Sequence, residues 1–352
     1  MKIMFVPVSS KQGIGEYMRS TILADTIQQE WPEAQIKFVL SKQAPYVDAC
    51  EYDVFLTDKS PTFYPKIVNE YISEFKPDLV IFDAAGRASN LKHAKNVGAK
   101  TVFLAHYDKK IKRALSLNRL LYTDQIWVSQ PRIAVSPLSW FSKVKLRYFK
   151  KEPLRYLGSI YQQPEDEFIQ STLEKYSLER DNFLLISAGS GGHKVETGEL
   201  AADIFYQAVK NSKIETKMVQ VWGANYCGKN IPASNEAESH ISSISNLEFI
   251  SLLQASKMAL LSGGDTLLQA VALRIPLLAV PISSDQPARI KTLLSYGQHF
   301  LTSDGDLENI ITSIEDLDTL STRKALRKEM SRLDVTNGNQ IILNNIKELL
   351  NS

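Results

Sequence analysis

The sequence predicts an α/β protein of two domains, each a parallel sheet covered by helices on both faces, with the ligand cleft between them. Three observations predict it. Continuous apolar runs of strand length alternate with helix-period patterns, and strands that are apolar throughout belong in sheets buried on both faces. The alternation breaks over 131–164, around Pro131, Pro137, Pro153 and Pro164, and then restarts. The length, 352 residues, suits two domains of ~150 residues each. The expected division is 1–155, then 165–335, with a closing helix over 336–352 that packs back on the first domain.

The elements follow in order. "KIMFVPV" (2–8) reads as the first strand, and 15–31 as an amphipathic helix with Met18, Ile22 and Ile27 on one side. Strands are expected at 35–40, 78–83, 100–106 and 124–129, with helices at 64–75, 87–96 and 111–122. The proline-bearing stretch, including the basic and aromatic "WFSKVKLRYFKK" (140–151), reads as a linker. The second series has strands at 182–192, 217–223, 247–250 ("LEFI"), 258–264 and 276–282. Helices are expected at 196–211, 265–273, 287–296, 305–315, 319–332 and 339–350.

Composition narrows the function. A formal charge of +2 excludes a strong general attraction to nucleic acid and leaves room for local basic patches. Cys50 and Cys227 form no metal or redox motif and read as reduced, buried thiols of a cytoplasmic protein. No apolar run reaches the ~18 residues of a membrane span. "MKIMFVPVSS" leads into a glycine turn, unlike a secretory leader.

Three glycine-rich turns fall where a strand is expected to end and a helix to begin: "SSKQGIGEYMRS" (9–20), "SAGSGGHK" (187–194) and "SGGDT" (262–266). Glycine lets backbone N–H groups approach a ligand, and a helix start adds free donors and partial positive charge, so each turn suits a phosphate. A tight strand–helix connection is the competing reading of any one of them.

The segment 260–286, "LLSGGDTLLQAVALRIPLLAVPISSDQ", resembles the donor-binding region of GT-B glycosyltransferases that use nucleotide-sugars. The likeness rests on Gly263, Gly264 and Thr266, then Gln269, Pro276, Pro281 and Asp285-Gln286. It implies a GT-B fold of two Rossmann-like domains and a metal-independent, inverting transfer from a UDP-sugar. The nucleotide-sugar is then a co-substrate, with no cofactor. In the same reading Gly263, Gly264 and Thr266 bind the diphosphate, Gln269 the ribose, and Asp285 and Gln286 the sugar hydroxyls. "SAGSGGHK" resembles the first turn of the family's C-terminal domain, which adds Ser190, Gly191, Gly192 and His193 to the diphosphate site, with Lys194 as a further cation. The chain departs from the pattern at Gln269, where the family has Glu, at Arg274, where it has Gly, and at Asp265, which suits a helix cap.

"GIGEYMRSTILAD" (13–25) resembles the N-terminal glycine turn of the same superfamily, including a UDP-sugar hydrolase of nonulosonic acid synthesis. Gly13, Gly15 and Arg19 are thereby expected near the diphosphate. Glu16 stands where relatives carry a histidine base, and a carboxylate there can take the acceptor's proton. The competing reading is a first-turn acid favoured by the helix dipole. Asp83 and His106, at strand ends, are the other catalytic candidates, His106 with Asp108 as its orienting carboxylate. No residues combine at metal-ligand spacing.

The expected partners are a nucleotide-sugar donor and a carbohydrate or lipid-linked acceptor, with no nucleic acid. "KKIKR" (109–113) and 140–151 suit peripheral contact with the inner membrane, or else a solvated face and a linker. A nucleotide-sugar hydrolase or epimerase on this scaffold, or a non-catalytic nucleotide-sugar binder, fits the same residues.

Overall fold

The computed structural model describes residues 1–9, 15–195, 197–228 and 231–351. The chain divides into two compact units, Met1–Ile160 with Gly338–Ser352, and Tyr161–Asn337.

The first unit runs β1 (Lys2–Pro7), α1 (Gly15–Glu30), β2 (Gln35–Ser41), β3 (Asp53–Thr57), α2 (Pro65–Phe75), β4 (Leu79–Asp83), α3 (Ala88–Asn96), β5 (Lys100–Ala105), α4 (Asp108–Ala114), α5 (Leu117–Leu120), β6 (Gln125–Val128), α6 (Trp140–Tyr148) and β7 (Arg155–Tyr156). The seven strands are all parallel, in the order β3-β2-β1-β4-β5-β6-β7. Their apolar runs are buried on both faces: Ile3, Phe5, Ile81 and Leu104 pack on one side, Met4, Phe82 and Phe103 on the other. Each such side chain contributes about 1.5–3 kcal/mol when fully buried.

The second unit runs α7 (Asp166–Lys175), β8 (Phe183–Ser187), α8 (Ala201–Asn211), β9 (Lys217–Val221), β10 (Glu238–Ile241), α9 (Asn246–Ala255), β11 (Met258–Ser262), α10 (Asp265–Ala272), β12 (Leu277–Val280), α11 (Gln286–Leu294), β13 (Leu301–Thr302), α12 (Leu307–Leu317) and α13 (Leu320–Met330). Its six parallel strands take the order β10-β9-β8-β11-β12-β13. The chain then returns to the first unit as α14 (Asn339–Asn351), whose Ile342, Ile346 and Leu349 share a core with Ile22, Leu23 and Ile27 of α1. The return passes through Gly338. Its N–H donates to the Ser159 carbonyl at 2.7 Å, and any Cβ there would overlap the Leu157 carbonyl oxygen.

Several expectations are corrected. "LEFI" is helical. Ser245 and Glu248 form a capping box that starts α9, with the Glu248 N–H donating to Ser245 Oγ at 3.2 Å. The strand lies earlier, as β10. The stretch expected as a linker contains α6 and β7, because Ser139 caps a helix between the prolines. The helix expected from 196 starts at Ala201: a Lys194–Leu200 bridge intervenes, and the Val195 N–H donates to the Glu199 carbonyl at 2.9 Å. Cys227 is exposed and Cys50 half-buried, so neither is the fully buried thiol expected.

Two histidines of the second unit have pKa values lowered by burial. His240 stacks on Trp222 at 5.9 Å, and burial pushes its pKa down. Glu238, 3.5 Å away, offsets this only in part. His299 is buried, with the same direction and leading cause. A lowered histidine pKa means that the unfolded chain binds the proton more readily. Stability is therefore lost as pH falls below the ordinary histidine value of about 6.5. The expected result is a melting temperature that drops between pH 7.5 and 5.5, with a shallower slope in His299→Phe. A slope unchanged in that variant would remove His299 as a cause.

Candidate active site

The strand order of the second unit reverses between β8 and β11, the place where open parallel sheets receive ligands. Ser262, the last residue of β11, is buried there. Its Oγ lies 3.7 Å from where a Cβ would stand on Gly189 and 3.6 Å from the same point on Gly264. Two of the expected glycine turns thus flank one serine. α10 opens at this point with Gly264 as N-cap and no side-chain cap. The partial positive charge of a helix start favours an anion there. The Thr266 hydroxyl in that turn is buried and has no hydrogen-bond partner among the described residues. Asp265 is exposed, also in the first turn.

The glycines of these turns also make close contacts within the protein. The Gly263 N–H donates to the Val280 carbonyl at 3.2 Å and to Gln286 Oε1 at 3.1 Å, and a Cβ on Gly263 would crowd Ile290. Gly191, at φ +84°, presses against the Trp222 carbonyl. Gly192 faces Asn225, whose N–H donates to the Ser190 carbonyl at 2.8 Å. Gly223, at φ +94°, meets the backbone of Ser190 from the other side. The 187–194 turn packs backbone to backbone against Trp222–Asn225, and Gly263 packs on the Ile290 and Gln286 side chains. Gly189 and Ser190 are half-buried, and Gly192, His193 and Lys194 are exposed.

The Asp-Gln pair divides its work. Gln286 is buried, and its Oε1 accepts from the N–H groups of Gly263 and Ile282, at 3.1 and 2.8 Å. Through Oε1 it braces the glycine turn. Arg289 does the same from α11, donating to the Gly263 carbonyl at 2.8 Å. Asp285 is exposed and caps nothing with its side chain. It accepts from the Ser283 hydroxyl at 2.8 Å and lies 3.5 Å from Arg289. Gln269 is buried one turn into α10. Beside the turns, a cavity of about 660 Å³ is lined by Lys194, Thr197, Phe205, Ser283, Pro287 and Asp306, among others. Of the expected donor residues, Lys194 alone reaches it.

In the first unit the reversal lies between β1 and β4. Arg19 on α1 donates from Nε and Nη2 to the two oxygens of Asp83, at 3.0 and 2.7 Å, and the Ser20 hydroxyl lies 3.3 Å from the same carboxylate. Both partners are buried. Burial pushes the Asp83 carboxyl up, and the Arg19 guanidinium draws it back. Asp83 and Arg19, expected on the substrate and the diphosphate, pair with each other.

Around this pair stand Glu16, His106 and Lys110. Glu16 is half-buried, with Oε1 3.9 Å from Lys110 Nζ. Burial, with Arg113 and Arg19 nearby, lowers the Lys110 pKa, while Glu16 and Asp83 raise it. His106 Nδ1 lies 3.1 Å from Ser129 Oγ, and Gln130 Nε2 lies 3.3 Å from His106 Nε2. Asp108 accepts from the Ser136 N–H at 3.3 Å, so Ser129 and Gln130 orient His106 in its place. Gly15 is exposed at the start of α1, and Gly13 lies outside the described residues.

Both units therefore place polar, chargeable groups at a strand-order reversal, and known structures share the fold over nearly the whole chain. CalG4, the calicheamicin glycosyltransferase, is 15% identical, with a TM-score of 0.62 over 99% of this chain and 98% of that one. The spinosyn rhamnosyltransferase SpnG is 11% identical, with a TM-score of 0.65 over 98% of this chain and 100% of that one. UGT2 of Phytolacca americana, solved with UDP-2fluoro-glucose and pterostilbene, is 10% identical, with a TM-score of 0.63 over 99% of this chain and 98% of that one. The chain has the GT-B fold. No protein-family model matches it, and no curated protein matches it in sequence.

Within this GT-B chain, sequence reasoning missed Lys110, Ser262, Gly223 and Arg289. Lys110 was legible: it lies four residues before buried Ala114 and next to buried Ile111, which turns it inward while Lys109 and Lys112 stay exposed. Gly223 ends "KMVQVWG" as a fourth strand-end glycine. Ser262 and Arg289 carry no local signal.

Proposed function

We propose that the protein is a glycosyltransferase that moves a sugar from a UDP-linked donor to an acceptor hydroxyl, with inversion and without a bound metal. The observation that carries the reading is the pair of glycine turns flanking Ser262 where α10 starts at Gly264. The full-length likeness to solved glycosyltransferases supports it. The second unit takes the donor. Backbone N–H groups of Gly264 to Thr266, with Gly189, Ser190, His193 and Lys194, meet the diphosphate. Gln269 meets the ribose, and Asp285 accepts from sugar hydroxyls, a charge-assisted bond. The acceptor, carbohydrate or lipid-linked, belongs to the first unit. Its hydroxyl oxygen bonds to the anomeric carbon, its proton goes to Glu16, and the nucleoside diphosphate leaves with the bonding pair. Fixed donors at the departing oxygens stabilise that charge.

The test begins with melting curves against a panel of nucleotide-sugars and free nucleotides. A ligand at 100 times its Kd adds about 2.7 kcal/mol of stability. Asp285→Ala is expected to weaken the nucleotide-sugar about tenfold or more while leaving the free nucleotide nearly as tight, since a lost hydrogen bond to a charged group is worth about 1.5–3 kcal/mol. Equal loss for both would remove Asp285 from the sugar. Turnover then needs an acceptor. Rapid sugar release from the donor alone would favour a hydrolase.

A further inference from the structure

α6 turns its apolar face outward. Trp140 is 69% exposed, Phe141 76%, Val144 43% and Tyr148 78%, values far above those of the aromatic side chains in either core. At about 100° per residue these four occupy one arc of roughly 100°, opposite Leu146, which is buried. Lys143 and Arg147, both exposed, border one edge of the arc, and Lys145 borders the other. Lys145 Nζ donates to the Leu115 carbonyl at 3.0 Å, which ties α6 to the end of α4, where Lys112 and Arg113 are also exposed. No Asp or Glu occurs between Asp124 and Glu152. The helix is anchored rather than frayed: the Ser142 N–H donates to Ser139 Oγ at 3.3 Å, and Leu146 seats it on the core behind β4 and β5.

An apolar arc that the rest of the fold leaves in water needs an occupant. A protein partner of opposite charge would need acids to meet Lys143 and Arg147 and a shaped pocket for two adjacent aromatics. A bilayer surface needs neither: aromatic rings settle at the headgroup level, and basic residues at the rim face lipid phosphate. We propose that α6 docks the protein on an anionic phospholipid surface, with Trp140, Phe141, Val144 and Tyr148 entering the interface and Lys143 and Arg147 on the headgroups. The docking needs no sugar, donor or acceptor, so it stands or falls apart from the transferase reading.

The experiment uses the full chain, without substrates, and vesicles of phosphatidylcholine alone or mixed with phosphatidylglycerol. Co-sedimentation is expected with the mixed vesicles and not with the neutral ones, and it weakens as salt rises. Trp140 is exposed while Trp31, Trp127 and Trp222 are buried or half-buried, so emission shifts to the blue on binding, and the shift is lost in W140F. W140S/F141S lowers partitioning at least tenfold. K143Q/R147Q lowers it roughly 30-fold, at the usual gain per basic residue near an anionic surface. The charge variant keeps the test alive if W140S/F141S fails to fold. The proposal is overturned by no binding to mixed vesicles, equal binding to neutral ones, or binding that neither double variant changes. A concentration-dependent dimer abolished by W140S/F141S also overturns it, since the arc is then a contact with a second copy.

Discussion

Glu16→Gln is expected to lower kcat about 10²–10⁴-fold, the range for losing a general base, with donor binding and melting temperature close to those of the parent protein. The substitution keeps the size and hydrogen-bonding reach of the side chain and removes only its capacity to accept a proton. Glu16 is the candidate base because the alternatives are occupied. Asp83 is wholly buried and held by Arg19, and His106 has Gln130 at Nε2 and Ser129 at Nδ1. Glu16 is half-buried at the sheet edge with Lys110 3.9 Å away. The competing role is that of a first-turn acid on α1, worth about 0.3–1 kcal/mol through the helix dipole. The two roles separate in one measurement pair, initial rates at saturating donor and acceptor alongside a melting curve. A small loss of stability with kcat unchanged would leave Glu16 as a helix-dipole residue. Lys110→Met, read the same way, tests whether the ammonium positions that carboxylate. A positioning role lowers kcat and leaves KM for the donor unchanged.

The sequence disclosed the parallel sheets because a strand covered on both faces has no polar side to mix in. "KIMFVP", "LVIFD" and "MALLS" are legible for that reason. "LEFI" was misread because its apolar run suits either period, while the deciding signal, Ser245 with Glu248 three residues on, sits at its margin. α6 was hidden by the prolines on either side. The candidate site was harder. The glycine turns were visible as glycine turns, but their purpose was not. Gly191 and Gly192 meet Trp222 and Asn225, more than 30 residues away, and Gly263 meets Ile290, so contact and not local chemistry decides which glycines face a ligand. Gln286 reads as a sugar contact in its segment, and nothing local shows that its Oε1 braces a loop.

Asp83 and Arg19 show the same limit at larger cost, since their positions are 64 residues apart. Asp83→Ala is expected to destabilise the first unit by about 3–5 kcal/mol, because it leaves a buried guanidinium without its carboxylate. Arg19→Met is expected to fall in the same range, by leaving a buried carboxylate that burial already disfavours. Asp83→Leu with Arg19→Met removes both charges. It is expected to cost less than the sum of the singles by about 2 kcal/mol or more, since groups in contact do not act additively. A chain of two units need not melt in one step, so hydrogen exchange of peptides from β1 and β4 is the measurement to use. The cycle also decides between structure and chemistry at this position. If Asp83 touched substrate, Asp83→Asn would lower kcat while exchange in β4 stayed slow. If it holds Arg19 at the strand-order reversal, exchange speeds up first and activity falls with the loss of folded protein.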